Sequence, residues 1–270
     1  LFIVLASFTE AQLIKKNVII IMADDLAYND VSYRGSNEIP TPNIDALAFN
    51  GIILNKFYTP PLCTPSRSAL MTGKYPHRIG MQDTVIVQDE PWGLPLSEKI
   101  MPQYFKEAGY KTHLVGKWHL GFYQQQYTPT RRGFDSFFGY LGSHIDYFSY
   151  TQEMFNRNYS RGYDMRRNLN VFANVNQQYA TDLFTNEAVN VIKNHDKQSP
   201  LFLLLNHLAP HAANEDIPMQ AANNEDIERF SYISDLKRRK LAGKLNSLTL
   251  ISSKKNLNHG ILDNLKNISR

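Results

Sequence analysis

The sequence predicts an α/β fold in which helices flank a mostly parallel β-sheet. Two continuous apolar runs, at 17–22 and 200–205, are typical of strands that are buried on both faces. Segments with helical spacing of apolar residues alternate with the strand candidates along the chain. With 270 residues, of which 43% are hydrophobic, the chain is long enough to bury a sizeable core.

The first half of the chain supplies one strand and three helices. The strand over 17–22 runs directly into Asp24 and Asp25. Ser97 is the expected N-cap of the third helix, and Gly109 is expected to end it in a left-handed conformation. The other two helices have Pro in the first turn and Gly after the last residue. Helices are therefore predicted over 42–50, 65–71 and 97–108.

The second half supplies two more strands and a longer helix. A short strand over 111–115 leads into Lys117 and His119, and the strand over 200–205 leads towards His211. Between the two strands, apolar spacing predicts an amphipathic helix over 179–194. Segments between 123 and 178 are rich in Tyr, Asn, Arg and Gly without clear periodicity, so we expect long loops over the rim of a site.

Polar residues follow three of the predicted strands. In a parallel sheet, ligands bind outside the carboxyl ends of the strands, so these residues are expected to meet at one site. Asp24 and Asp25 offer the oxygen ligands that calcium or magnesium takes, although such a pair also occurs in ordinary capping loops. Lys117 and His119 would point the same way in an extended segment, where they suit anion binding and proton transfer. A surface loop is the alternative for that pair.

The single cysteine, Cys63, lies at the start of a predicted helix and excludes an internal disulfide. Free N–H groups and the helix dipole favour an anion there, either a thiolate or the oxygen atoms of a sulfate or phosphate ester. Arg67, one turn later, adds a fixed positive charge. A lone cysteine is otherwise most often a small buried apolar residue.

Both ends of the chain differ from its middle. The apolar run at 1–8, followed by polar residues, predicts part of a signal peptide over 1–11, with a buried first strand as the alternative. The last 38 residues contain no aromatic residue and no proline, and they carry much of the positive charge. Because no aromatics are interleaved there, we expect a solvated helix face and no nucleic-acid partner. No apolar stretch is long enough to span a membrane.

Two long motifs resemble the two signatures of the sulfatase family. Residues 61–73, with the string Cys-Thr-Pro-Ser-Arg, look like the first signature, and residues 109–119 look like the second. Asp24 and Asp25 stand where sulfatases carry their first metal ligands. The segments 131–135 and 209–211 are similar to the arylsulfatase B branch, the N-acetylgalactosamine-4-sulfatases. The resemblance implies an alkaline-phosphatase-like catalytic domain over 15–243, followed by a divergent tail over 244–270.

The resemblance also implies a mechanism and its cofactors. Cys63 would be oxidised to formylglycine by the formylglycine-generating enzyme in an oxidising secretory compartment. One hydroxyl of the aldehyde hydrate would attack sulfur, and the second would expel sulfate. Asp24, Asp25 and the modified Cys63 would bind calcium. Arg67 would hold the formylglycine hydroxyl, and Lys117 and His211 would bind sulfate. His119 would orient or deprotonate the hydrate.

The likeness ends near residue 243, so the chain is expected to be an incomplete sulfatase. A second calcium-binding Asp-Asn pair of the family is missing, and Asp263-Asn264 lacks the strand that should precede it. We therefore expect the chain as written to hydrolyse sulfate esters poorly. Two alternatives stay open, a phosphoesterase of the same superfamily and an inactive secreted fragment that binds sulfated glycans.

The expected substrate is an aryl sulfate or a sulfated sugar, with the amino sugars of glycosaminoglycans as the candidate source. The leader predicts the secretory pathway, with a lysosomal or extracellular destination. Asn158 and Asn267 stand in candidate glycosylation tripeptides, which would fit secretion.

Overall fold

The structure, a computed structural model, describes residues 15–154, 160–173, 178–213, 222 and 224–249. The predictions made for the leader at 1–11, for Asn158 and Asn267, and for Asp263-Asn264 lie outside these residues. Among the described helices, none is long and apolar enough to cross a membrane.

The chain forms eight strands and six α-helices within its described part. The strands are β1 Val18–Asp24, β2 Lys111–Lys117, β3 Ser136–Tyr140, β4 Thr151–Met154, β5 Ser160–Tyr163, β6 Arg166–Arg167, β7 Asn170–Val171 and β8 Leu201–Pro210. The helices are α1 Pro42–Phe49, α2 Cys63–Thr72, α3 Met101–Glu107, α4 Ala180–Lys193, α5 Asn224–Glu228 and α6 Leu236–Thr249. Helix α6 therefore continues past the domain boundary predicted at residue 243.

A six-stranded sheet in the order β1-β8-β2-β3-β6-β7 organises the fold. Strands β1, β8, β2 and β3 are parallel, whereas β6 and β7 add antiparallel pairs at one edge. Along β8, Leu203 and Leu205 belong to one apolar cluster, and Phe202 and Leu204 belong to another on the opposite face. Burial on both faces is the reason why this strand is a continuous apolar run. The predicted α/β class with a mostly parallel sheet is confirmed.

The prediction of long loops between residues 123 and 178 is wrong in part. Strands β3 to β7 all lie within that range, and β4 and β5 form a separate hairpin. These strands have only two to five residues each, and such short segments carry too little periodicity to be recognised. In β3 the apolar run is also interrupted by Gly139.

Helix α3 is shorter than the predicted helix over 97–108. It begins at Met101 with Ile100 as the N-cap, so Ser97 does not cap it. A proline ring clashes with the carbonyl group four residues earlier, so Pro102 excludes Glu98 from the same helix. At the other end, Gly109 has a φ of +83°, which confirms the predicted left-handed residue after the helix.

Gly116 lets β2 pass very close to β8. Its φ is +97°, and a Cβ atom there would lie 1.9 Å from the carbonyl oxygen of Asn206. Because that oxygen belongs to β8, which is paired with strands on both sides, the backbone of Asn206 cannot move aside. The close approach holds Lys117, at the carboxyl end of β2, next to Asn206 in the middle of β8, whose side-chain amide donates to the carbonyl oxygen of Lys117.

We expect Gly116→Ala to destabilise the protein strongly. Gly35→Ala is the matched control, since Gly35 has a φ of +100° and a Cβ atom there would meet nothing within 4 Å. The free energy of unfolding of the control should fall by only the roughly 1–2 kcal/mol that alanine costs in a left-handed conformation. Gly116→Ala should lose about 1–3 kcal/mol more from the clash, as measured by urea unfolding. Equal losses would show that β2 and β8 are not held this closely.

Candidate active site

A buried carboxylate, Asp24, lies at the centre of a charged cluster at the carboxyl end of β1. Arg67 of α2 donates to its Oδ1 at 3.0 Å, and Lys117 of β2 donates to its Oδ2 at 2.7 Å. Burial alone would raise the pKa of Asp24, but the charges of Arg67 and Lys117 outweigh burial and hold the pKa below its usual range. Asp24 is therefore a carboxylate that connects the strand ends to helix α2.

Cys63 lies beside this carboxylate, at the first position of α2. Its Sγ is 3.7 Å from Oδ1 of Asp24. Burial raises the pKa of the Cys63 thiol, and the negative charge of Asp24 raises it further, against the opposing effects of Lys117 and Arg67. Burial and the neighbouring carboxylate therefore oppose the thiolate that the helix N-terminus favours. Unmodified Cys63 is a protonated thiol, which is a poor nucleophile.

His119 is fully buried and is held in one tautomer. Its Nε2 lies 2.9 Å from the carbonyl oxygen of Ile86, which only accepts hydrogen bonds, so Nε2 carries the proton. Its Nδ1 has no hydrogen-bond partner among the described residues. Burial lowers the pKa of His119 well below its usual value, and Lys117 lowers it further. The result is a neutral imidazole with a free basic nitrogen.

The backbone at His119 is left-handed, with a φ of +56°. The extended backbone therefore ends at Lys117. The prediction that the side chains of Lys117 and His119 point the same way assumed an extended segment, and that assumption does not hold at His119. Thr64 stabilises the unusual turn, because its Oγ1 donates to the carbonyl oxygen of His119 and accepts from the N–H of Ile86. Sequence reasoning missed Thr64, since its role depends on two segments that are distant in the sequence.

His211 completes a group that has the composition of a metal site. Ligand atoms of Asp24, Cys63 and His211 lie within 4.8 Å of one another. Asp25 stands at the edge of this group, more exposed, with its Oδ2 3.5 Å from Nε2 of His211. The structure therefore brings the predicted site residues to one edge of the sheet, although it places Asp25 less centrally than Asp24.

Several buried polar atoms of this region have no hydrogen-bond partner among the described residues. Such atoms are expected where a ligand supplies the missing bonds. They are Nε of Arg67, Nδ1 of His119, the hydroxyl of Tyr140 and Oδ1 of Asn206. Tyr140 and Asn206 were not predicted as site residues. Asn206 directly follows the strand predicted over 200–205, so the rule that selected Asp24 and Lys117 could have found it. Tyr140 ends β3, which the sequence did not predict, so the same rule could not have found Tyr140.

His207 is buried in β8 but belongs to none of these contacts. Neither ring nitrogen has a partner within the described part of the chain, and burial lowers the pKa of His207 to about 3. The folded protein therefore keeps this ring neutral, whereas the unfolded chain binds a proton below a pH of about 6.5. Stability is present above that pH and is lost as the pH falls towards 3.

We expect His207 to cause part of the acid lability of the fold. Between pH 7 and pH 5, its protonation in the unfolded chain should cost about 2 kcal/mol of unfolding free energy. Urea titrations at the two pH values measure how far the unfolding free energy falls from pH 7 to pH 5. This fall should be smaller by about 2 kcal/mol in His207→Gln and in His207→Leu than in the parent. Parallel pH dependence in the parent and both variants would contradict the assignment.

The mostly parallel sheet, with Cys63 beside the buried Asp24, Arg67 and Lys117 at its carboxyl edge, has the alkaline-phosphatase-like fold of its structural neighbours. The family model described as Sulfatase matches residues 16–249. The chain belongs to the sulfatase family.

Individual relatives agree with this assignment. Mouse arylsulfatase J is 41% identical over 233 residues, covering 86% of this chain and 38% of that protein. Mouse N-acetylgalactosamine-6-sulfatase is 34% identical over 209 residues, covering 73% of this chain and 40% of that protein. The crystal structure of Ps i-CgsB superposes with a TM-score of 0.73 at 35% identity, covering 87% of this chain and 52% of that one. The chain spans less than half the length of these two curated relatives.

Proposed function

We propose that this chain carries the catalytic cluster of a sulfuric ester hydrolase. The observation that carries the proposal is the arrangement of Cys63, Arg67 and Lys117 around the buried carboxylate of Asp24. Two fixed cations beside a modifiable side chain at a helix N-terminus suit an anionic ester. Family membership supports the same chemistry.

The nucleophile in this proposal is Cys63 after its oxidation to formylglycine. The Cys-Thr-Pro-Ser-Arg string around Cys63 and the membership of the sulfatase family support this modification. The aldehyde hydrate supplies one hydroxyl for attack and a second for release of sulfate. Modification would require the formylglycine-generating enzyme in the secretory pathway, and a lysosomal or extracellular location follows from that.

Calcium fits the donor set, although the described residues supply only part of its shell. A carboxylate oxygen has two lone pairs, so the ion pairs with Arg67 and Lys117 leave Asp24 able to bind a cation as well. Asp24, Asp25 and the modified Cys63 would hold it. Calcium takes roughly 6–8 oxygen ligands, and the others would come from substrate, water or residues beyond those described. When bound, the ion would polarise the sulfate.

The remaining side chains divide the work of binding and proton transfer. Arg67 holds the hydroxyl of the modified Cys63, and Lys117 binds a sulfate oxygen as a point charge. Nδ1 of His119 is unprotonated and orients or deprotonates the attacking hydroxyl. His211, at the rim, binds sulfate near the leaving group.

The proposed substrate is a sulfated sugar, with aryl sulfates as artificial substrates. Relatives named N-acetylgalactosamine-6-sulfatase support a sulfated amino sugar. The protein named Ps i-CgsB was solved with k-i-k-neocarrahexaose, a bound oligosaccharide. Both facts describe those proteins, and they make sulfated saccharides the class to test here.

Paired assays on an aryl sulfate and the matching aryl phosphate test the proposal. Protein from a secretory host, with added calcium, should release sulfate from the first, although slowly because the described residues supply only part of the calcium shell, and should leave the second almost intact. Preference for the phosphate would establish the phosphoesterase alternative. Binding of sulfated glycans without any sulfate release would establish the inactive fragment.

A further inference from the structure

Lys244 of α6 is a buried cation that takes no part in the mechanism above. The residue is only 7% exposed, although it lies beyond the domain boundary predicted at residue 243. Burial and the positive charge of Lys240 lower the pKa of Lys244 to about 8, so its side chain is still protonated at neutral pH. A buried ammonium group is costly unless its donors are bonded, so its partners show what it does in the fold.

The helix that carries Lys244 is fixed to the domain on both sides of this residue. Near the end of the helix, Oγ of Ser247 donates to Asp226 of α5. Near its start, Arg238 pairs with Asp30 at 2.7 Å, across a long separation in sequence. Helix α6 therefore holds Lys244 at a defined place beside β8.

Lys244 contacts the backbone of His211, which follows β8 directly. Its Nζ donates to the carbonyl oxygen of His211 at 3.1 Å. The hydroxyl of Tyr147 donates to the same oxygen at 2.9 Å. The ammonium group also lies 5.5 Å from the centroid of the Tyr147 ring, within the range of a cation–π contact. Two donors from distant segments thus hold one carbonyl group at the edge of the site.

The carbonyl group held by Lys244 controls the direction of the His211 ring. Nδ1 of the ring lies 2.7 Å from the carbonyl oxygen of Ala212, which only accepts, so Nδ1 carries the proton. Nε2 is therefore the nitrogen that faces the site, 3.5 Å from Oδ2 of Asp25. The carbonyl group of His211 and the N–H of Ala212 belong to one planar peptide unit. A rotation of that unit would move Ala212 and the bond that orients the ring.

We propose that Lys244 is a positioning residue for sulfate binding, which acts with Tyr147 by holding the carbonyl group of His211 and thereby the direction of its ring. The inference rests on the proposed function, because it assumes that His211 binds sulfate near the leaving group. It extends the site past residue 243 into helix α6, which sequence reasoning assigned to a divergent tail from residue 244 onwards.

Equilibrium binding of an aryl sulfate to the Cys63→Ala chain, with added calcium, tests this role without turnover. Lys244→Met should weaken binding about five- to tenfold, because the donor and the charge are lost while the length of the side chain is kept. Lys244→Arg should restore part of the affinity, because it keeps a charged donor. Lys237→Met, at an exposed position of the same helix, is the matched control and should bind like the parent.

Tyr147→Phe removes the other donor to the same carbonyl oxygen and keeps the aromatic ring. It should weaken binding in the same direction by a smaller factor, so the proposal stays testable even if Lys244→Met does not fold. Parental affinity in Lys244→Met, or the same loss in Lys237→Met, would overturn the positioning role.

A double-mutant cycle with His211→Ala separates positioning from a general structural effect. In the His211→Ala background, Lys244→Met should weaken binding no further, because the ring that Lys244 orients is absent. A further five- to tenfold loss in that background would show that Lys244 does not act through His211, and it would overturn the proposal.

The NMR signals of the His211 ring report its position in the ligand-free chain. Lys244→Met and Tyr147→Phe should shift these signals, and Lys237→Met should leave them unchanged. Unchanged signals in both of the first two variants would overturn the positioning role, whatever the affinity for the aryl sulfate. Failure of the proposed function is read separately, as a parent chain that binds no aryl sulfate while the His211 signals still respond to Lys244→Met.

Discussion

Cys63→Ala should abolish sulfate ester hydrolysis, with a loss of at least about 10⁴-fold in kcat. The substitution removes the side chain that carries the attacking hydroxyl after its modification, while Asp24, Arg67 and Lys117 stay in place. The measurement is sulfate release from an aryl sulfate under saturating substrate. Thr72→Ala, at the far end of the same helix, is the control and should keep the parental rate.

Cys63→Ser separates the two hydroxyl groups that the proposal requires. Serine has one hydroxyl, so it can accept a sulfate group but has no second hydroxyl to expel it. We expect slow or no turnover and a sulfated serine in the variant, which mass spectrometry detects on the peptide. Turnover of Cys63→Ser near the parental rate would contradict the requirement for a modified cysteine.

Asp24→Asn should produce the largest loss of stability among single changes at the site. The substitution keeps the shape but leaves Lys117 and Arg67 buried without their carboxylate. Breaking a buried ion pair from one side costs about 3–5 kcal/mol. Urea unfolding with a chelator present measures this loss without any contribution from a bound cation.

A double-mutant cycle shows whether the loss comes from the unpaired cations. Lys117→Met alone should also be strongly destabilising, but the double variant should lose less than the sum by about 0.5–3 kcal/mol. The exposed pair of Lys74 and Glu98, 2.6 Å apart, is the control. Lys74→Met should cost less than about 1 kcal/mol. Additive losses at Asp24 and Lys117 would contradict the proposed pairing.

The elements that sequence reasoning found are those with long, regular patterns. The run at 17–22 appears as β1, and the helix predicted over 179–194 appears as α4, Ala180–Lys193. Strands β3 to β7 were missed, because segments of two to five residues become strands only when neighbours pair with them. The predicted start of α3 at Ser97 is wrong because the ring of Pro102 excludes the residues before Met101 from the helix.

The site was foreseen where its side chains follow predicted strands or stand in the Cys63 motif. Sequence reasoning selected Asp24, Lys117 and His211 on this basis, and the structure places them together with Cys63. The contacts that orient these side chains and shift their pKa values were not foreseen, because they form between segments that are distant in the sequence. The carbonyl group of Ile86 fixes the tautomer of His119, and no side-chain pattern reports a backbone carbonyl. The charge of Asp24 on Cys63 likewise appears only in three dimensions.

The most direct test of the central claim is the mass of the peptide that contains Cys63. The chain is produced in a host whose secretory pathway makes formylglycine, digested, and analysed with and without a hydrazine that captures aldehydes. The account predicts a peptide in which the thiol is replaced by an aldehyde and which reacts with the hydrazine. A peptide that carries only the unmodified thiol, from a host that modifies a control sulfatase, would contradict it.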